Sequence, residues 1–390
     1  MGGEHATIDT NHAQGWQVSL LRCASTLLCL VVLAACANDE TIRTTETPPG
    51  VVQARIVALL PANLRGRDGW ATDIRTAFSA MKLAPTPDSL CAVLAVTEQE
   101  STFNADPPVP NLARISREEI DRRADRIGAP RVAVDLALGI TSPNGKTYAE
   151  RLAKVRTERE LSEMYEDFIA MVPLGAKLAA GYNPVRTGGP MQVSIAFAEQ
   201  HAKARPYPYE DVASIRREIF SRRGGLYFGI AHLLDYPANY DEMKYRFADF
   251  NAGRWSSRNA AFQQAVASLA GEKLVLDGDL IRPGSSPRDP PGQTEAAVRM
   301  LGEALRMDAA AIRRDLARGE AADFDRTELH RGVFALADAR AAKRGGKPAP
   351  RAVYPGLDLK SPKITRKLTT AWFADRVEQR YRRCLARAQG

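Results

Sequence analysis

The chain has 390 residues, 45% of them hydrophobic and 26% charged, with a formal net charge of +8. That length can bury a large core in one large domain or two to three smaller ones, and the composition excludes a chain disordered throughout. Sparse aromatics with frequent alanine and arginine lean towards helix.

Residues 1–20 are polar and unpatterned. Arg22 then precedes "CASTLLCLVVLAAC", whose residues 23–35 are almost entirely apolar or small. The run is too short to span a bilayer as a stable helix, yet it follows the charged-then-apolar plan of a secretory signal. It closes with Leu33-Ala34-Ala35-Cys36, which resembles the lipobox of bacterial lipoproteins. The resemblance implies cleavage before Cys36 and a lipid on that cysteine, hence membrane attachment in the cell envelope. Ala37 stands where lipoproteins kept at the inner membrane often have aspartate, which directs the expectation to the outer membrane. Residues 1–35 are therefore read as a signal peptide and 36–54 as a polar tether.

Processing would remove Arg22 together with Glu4 and Asp9, and the mature charge would be +9. Residues 341–390 carry 13 Lys/Arg against 3 Asp/Glu. An anionic envelope surface and a merely solvated basic face both fit that excess, whereas nucleic acid is not an expected partner for an exported lipoprotein. Cys91 and Cys384 are the cysteines left besides Cys23, Cys29 and Cys36. An oxidising compartment permits a disulfide between them; two free buried cysteines are the alternative.

After the tether, "DGWATDIRTAFSAM" spaces Trp70, Ile74, Phe78 and Met81 along one helical face. Thr86-Pro87-Asp88 combines an N-cap, a first-turn proline and an acid near the positive helix end, so a helix should start there and run through "SLCAVLAVTEQES". Ser116 and Glu119 read as a capping box. "GITSPNGKT", 139–147, has five residues between its glycines and a proline inside, so a surface turn is expected rather than a phosphate loop. Further helices are predicted near 146–171, 192–203, 211–234, 241–250 and 255–270. "DGDLIRPGSSPRDPPGQ", 277–293, reads as a long loop or domain boundary. Beyond it, helices are predicted near 294–317 and 326–343, with a last one opened by Ser361-Pro362. No stretch alternates as a strand, so the expected class is mainly α. His201, His232 and His330 are scattered, and neither a metal site nor a cofactor is expected.

"VTEQES" ends the helix that starts at Thr86. At 100° per residue, Glu100 lies roughly 50° from the apolar direction set by Leu90, Val93, Leu94 and Val96, and Glu98 roughly 110° from it. Glu100 thus extends the buried face. Burial raises a carboxyl pKa, and glycosidic cleavage needs such a protonated acid. Two later segments, "TGGPMQVSIAF" and "RFADFNAGRWSSRNAAF", each set an amide side chain beside a tight turn.

In order, Glu100-Ser101, Gly189-Pro190-Met191-Gln192 and Phe250-Asn251-Ala252-Gly253 resemble the lysozyme-like lytic transglycosylases, which use Glu-Ser, Gly-Leu-Met-Gln and Ala-Tyr-Asn-x-Gly. The resemblance implies a lysozyme-like domain over 55–276, a helical insertion at 105–185 and a C-terminal helical region at 277–390. It also implies peptidoglycan as partner, with Glu100 as the acid and base that cleaves between N-acetylmuramic acid and N-acetylglucosamine. Ser101 would orient Glu100, Gln192 and Asn251 would bind sugar amides or hydroxyls, Met191 would line the groove floor, and Gly253 is a further substrate-binding position. Pro190 and Phe250 depart from the pattern, with Tyr245 or Tyr227 as substitutes for the missing hydroxyl. Asp106 and Asp249 are candidates for a second carboxylate. A non-catalytic lipoprotein that grips glycan or a protein through the same groove is the alternative. The stretches "NPVRTGGPMQVSIAFAE", "FSRRGG", "RFADFNAG" and "LDGDLIR" resemble a second family, bacterial lipoproteins catalogued as domain of unknown function 1615.

Overall fold

Thr86 accepts a hydrogen bond from the Ser89 amide at 3.1 Å, with Pro87 in the first turn, so the Glu100 helix starts where its capping chemistry dictates. The computed structural model describes residues 48–171, 183–286, 288–359 and 368–389. Among the described residues the fold is mainly α, as the composition predicts, with seventeen helices and two short two-stranded ribbons. None of these helices is long and apolar enough to cross a membrane. The signal, Cys36 and the Ser361-Pro362 start lie outside the described residues.

Three helices open the chain: α1 (Pro49–Leu59), α2 (Arg67–Ala80) and α3 (Pro87–Ser101). A block of four follows, α4 (Leu112–Arg126), α5 (Arg131–Gly139), α6 (Tyr148–Lys154) and α7 (Glu158–Met171). An antiparallel ribbon, β1 (Thr187–Gly188) with β2 (Val193–Ser194), pairs Thr187 opposite Ser194 and leads into α8 (Ile195–Ala204). Next come α9 (Ile215–Ile219), α10 (Arg222–Leu234), α11 (Met243–Ala252) and α12 (Ser256–Ala270). The chain continues through α13 (Gln293–Met300), α14 (Gly302–Leu305), α15 (Ala309–Leu316) and α16 (Glu328–Lys343). A second ribbon, β3 (Asp358–Leu359) with β4 (Leu368–Thr369), precedes α17 (Thr370–Gln389).

Every residue of α3 from Leu90 to Thr97 is buried, so this helix is surrounded rather than one-faced. α17 covers one side. There the Cys91–Cys384 disulfide ties the two helices, the Tyr381 hydroxyl donates to Asp88 at 2.7 Å, and Glu98 pairs with Arg383 at 3.4 Å and Arg380 at 3.5 Å. α2 and α10 complete this first core with Ile74, Phe78, Leu226, Phe228 and Ile230.

A second core gathers Phe262, Val298, Ile312, Phe324, Leu329 and Val333. It begins on α12, before the expected boundary at 277, because two buried amides of α12 hold the loop that follows. Gln263 accepts from the Gly278 amide at 2.9 Å and donates to Asp277 at 2.7 Å; Asn259 donates to Gly278 and Gly319 carbonyls. The C-terminal region is not one body either, since α17 returns to the first core. Pro49–Gly390 clusters as a single compact unit.

Three local expectations are corrected. Residues 49–54, assigned to the tether, already form α1, opened by Pro49. α4 begins at Leu112 after a left-handed Asn111, one turn before the supposed Ser116–Glu119 box. Ser116 is therefore mid-helix and buried, and Glu119 instead pairs with Arg122 and Arg123. The ribbons replace the strand-free expectation, each being two residues long. The 139–147 segment is a turn, as read: Ser142 donates its amide to Lys146 O, and Thr147 with Glu150 forms a capping box for α6.

His330 sits in the second core beside Phe334, Phe324 and Phe262, with centroids 4.7, 5.1 and 5.9 Å away. Burial pushes its pKa down to about 4, and Arg258 and Arg351 act in the same direction. The unfolded chain takes up this proton near pH 6.5 and the folded one only near 4. The contribution of neutral His330 is thus complete above about pH 6.5 and is lost as pH falls through about 4. Urea unfolding of wild type at pH 7 and pH 4 should show a loss of about 2–3 kcal/mol from this group. His330→Phe should lose that much less; an unchanged pH dependence would remove His330 as a cause.

Candidate functional site

Glu100 is half-buried in the last turn of α3, on a different side from Glu98, which is committed to α17. The helix stops abruptly because Thr102 (φ 51°) and Phe103 (φ 58°) are both left-handed. The Ser101 hydroxyl donates to Thr97 O at 3.1 Å and accepts from the Asn104 amide at 3.2 Å. Those bonds go to backbone and close the helix end, so Ser101 fixes the turn on which Glu100 stands. Phe103 then inserts edge-on against Trp70, 5.5 Å between centroids, anchoring that turn to α2.

Gly189-Pro190-Met191-Gln192 forms the tip of the β1–β2 ribbon, closed by a bond from the Gln192 amide to Gly189 O at 3.0 Å. The turn needs left-handed backbone at Gly189 (φ 75°) and Gln192 (φ 50°). The Gln192 side chain also donates to Gly189 O at 3.2 Å and lies 3.4 Å from the Thr187 hydroxyl. Gly225 and Gly229 on α10 let this turn approach: a Cβ on Gly225 would meet Pro190 at 2.3 Å, and one on Gly229 would meet the Met191 sulfur at 2.5 Å. Met191 consequently fills that notch and is fully buried, which corrects its assignment to the groove floor. At Gly189 a Cβ would sit 2.2 Å from Ile219 O. Gly189→Ala should therefore cost about 2–4 kcal/mol, combining left-handed strain with overlap against backbone; thermal unfolding measures it, and a loss below about 0.5 kcal/mol would contradict this packing.

Asn251 ends α11, its Oδ1 accepting from the Thr370 hydroxyl at 3.1 Å where α17 begins. Gly253 (φ 115°) caps the helix, and Phe250 packs edge-on to His232 of α10 at 5.2 Å. Asp249 is fully buried. It accepts from the Tyr240 hydroxyl (2.7 Å), the Tyr236 hydroxyl (3.1 Å), and the Ser257 (2.7 Å) and Trp255 (2.9 Å) amides, joining α11 to α12. Burial raises its pKa while those donors oppose the rise. With no exposure it is a structural cap, not a second carboxylate for substrate. Asp106 is likewise engaged: Arg159 lies 2.8 Å away, and burial raises its pKa against that cation. Tyr227 is buried with its hydroxyl on Pro206 O at 3.3 Å, so it cannot supply the hydroxyl that Phe250 lacks. Tyr245 is half-buried between Tyr240 and Tyr354, 5.8 Å from each.

Beside Gly253 a polar cavity of about 510 Å³ opens, lined by His201, His232, Arg205, Arg254, Trp255 and Asp279 among others. Burial pushes the His232 pKa down to about 4, with Arg254 adding to it, so this imidazole is neutral at pH 7. The two histidines stand 31 positions apart and match no ligand spacing, so nothing in the sequence pairs them. Their convergence is produced by α8 and α10 packing around Phe197, which lies 4.7 Å from His232 and 5.6 Å from His201.

Family comparison matches residues 63–387, spanning α2 to α17 and all three motif segments. The chain belongs to the family described as Protein of unknown function (DUF1615). Within curated proteins it is 51% identical over 360 residues to "Uncharacterized protein YaiW" of Escherichia coli (strain K12), covering 92% of this chain and 96% of that one. No solved structure matches it. Membership in the DUF1615 family identifies the chain without assigning an activity, so function rests on the chemistry of its residues.

Proposed function

We propose that the protein is a lipoprotein of the cell envelope, anchored at the outer membrane through Cys36, that cleaves peptidoglycan glycan strands by lytic transglycosylation. The observation that carries this reading is a common support: α3, the Gly189–Gln192 turn and the Phe250–Asn251 helix end all pack on α10. Three segments separated by up to 150 positions thereby share one helix, in the order of the transglycosylase pattern.

Glu100 protonates the glycosidic oxygen between N-acetylmuramic acid and N-acetylglucosamine as that bond breaks. The resulting carboxylate takes the proton from the muramoyl 6-hydroxyl, whose oxygen closes on the anomeric carbon as a 1,6-anhydro ring. No water enters. Gln192 and Asn251 hydrogen-bond sugar amides or hydroxyls. The engagement of Asp106 and Asp249 supports this route over hydrolysis, which more often uses a second carboxylate to activate water or hold a covalent sugar.

Incubation of residues 49–390 with purified peptidoglycan tests the proposal. Anhydro-muropeptides are the expected products. Reducing-end muropeptides would replace transglycosylation by hydrolysis, and intact glycan that retains the protein would leave the non-catalytic, glycan-gripping reading.

A further inference from the structure

The polar cavity beside Gly253 has two ends of opposite charge. At one end the Phe197 ring gathers His201, His232 and Arg254, whose guanidinium carbon lies 4.6 Å from the ring centroid. Arg254 donates to the Ala231 and His232 carbonyls, but it forms no ion pair among the described residues, and its Nη1 makes no hydrogen bond among them. The Arg205 guanidinium is matched by Asp235 at 2.9 Å, so two cations share one carboxylate here. Burial pulls the Arg254 pKa down to about 10, with Arg205 and Arg246 acting the same way against Tyr236 and Asp235. His201 is only 7% exposed in the cavity wall, and its Nε2 has no partner. Burial lowers its pKa, so the ring is neutral at pH 7. A buried ring nitrogen and a desolvated cation without a counter-charge both cost free energy until a ligand satisfies them.

The other end is acidic. Asp279 and Glu320 line this cavity and also an adjoining one of about 320 Å³, so they stand where the two meet. Both are exposed, and neither forms an ion pair among the described residues. Burial raises the Asp279 pKa, and the Asp277 and Glu320 carboxylates raise it further, with no cation set against them. The nearby Arg258 is taken up by the carbonyls of Gly319 and Ala321, on either side of Glu320. Ser256 separates the two ends. A Cβ on Gly253 would lie 3.3 Å from its Oγ, and one on Gly278 would lie 2.9 Å from its Cβ. Arg254 and Asp279, each one residue further on, therefore flank the start of α12.

We infer that this cavity binds a small zwitterion of amino-acid or dipeptide size, its carboxylate on Arg254 and His201 and its ammonium on Asp279 and Glu320. The free Nη1 of Arg254 and the Nε2–H tautomer of His201 donate to the carboxylate, and the ammonium relieves the repulsion between the two acids. An anion lacking an amine would meet those acids unscreened, and a plain amine would leave Arg254 unmatched. A neutral sugar would use neither charge. The volume of about 510 Å³ suits a small-molecule site. The assignment is independent of Glu100 and of glycan cleavage.

Residues 49–390, which hold both cores and the disulfide, are titrated by calorimetry with alanyl-alanine, its N-acetyl form and its C-terminal amide. Wild type should bind alanyl-alanine saturably and each blocked form about tenfold more weakly or worse, since each loses one charged contact. Asp279→Asn with Glu320→Gln should weaken alanyl-alanine by about tenfold or more without weakening the N-acetyl form. Arg254→Gln should weaken alanyl-alanine and the N-acetyl form but not the amide, with helix content checked by circular dichroism. His201→Phe keeps an aromatic ring in the wall and should weaken alanyl-alanine severalfold. No binding of alanyl-alanine by wild type overturns the inference, as does equal binding of all three forms. Unchanged binding by the Asp279–Glu320 double variant, whose altered side chains are exposed, overturns it as well.

Discussion

With Cys384 replaced by serine, the protein is expected to lose about 3–5 kcal/mol of stability while keeping its helix content. The bridge closes a span of 293 residues, so its removal frees a very long loop in the unfolded chain. In the native state the loss is small by comparison. Cys91 is fully buried in α3, where a free thiol is tolerated as a small apolar group, and α17 keeps its bond from Tyr381 to Asp88. Urea unfolding of oxidised wild type and Cys384→Ser should give a lower midpoint for the variant. A difference under about 1 kcal/mol would mean that the packing of α17, rather than the bridge, secures α3. Glu100 gains from this arrangement, because α17 absorbs Glu98 and immobilises the helix that presents its neighbour.

Features set by a few adjacent residues were legible in the sequence. Thr86-Pro87 capped α3 as read, and Trp70, Ile74 and Phe78 entered the core because helical spacing alone decides which face they share. Features set by distant partners were not. Ser116-Glu119 satisfied a capping pattern, but the backbone turned at Asn111 first. The burial of Met191 depends on a glycine at 229, and that of Asp249 on hydroxyls from Tyr236 and Tyr240, none of which periodicity can rank. The proline- and glycine-rich loop after 277 looked like a boundary because composition reports local flexibility. It could not report that Asn259 and Gln263 point their amides at that loop. At the candidate site, order along the chain was legible, whereas the shared support on α10 needed Gly225 and Gly229 to be seen against Pro190 and Met191.

The largest functional effect is expected at Glu100. Glutamine keeps the shape of the side chain and its place in the α3 end, but it can neither give up a proton nor receive one. General acid–base transfer contributes about 10²–10⁴-fold to such reactions, and Glu100 performs both transfers in the proposed cycle. Glu100→Gln should therefore reduce cleavage by about 10³-fold or more. Glu98→Gln, on the other side of the helix, should keep activity within about twofold and cost at most about 1 kcal/mol, the usual worth of partly exposed ion pairs.

The most direct measurement is the rate at which purified peptidoglycan yields 1,6-anhydro-muropeptides with wild type, Glu98→Gln and Glu100→Gln side by side. Release by wild type and Glu98→Gln, with none above background from Glu100→Gln, is the predicted result. Equal release by all three, or none from any, would contradict Glu100 as the acid and base.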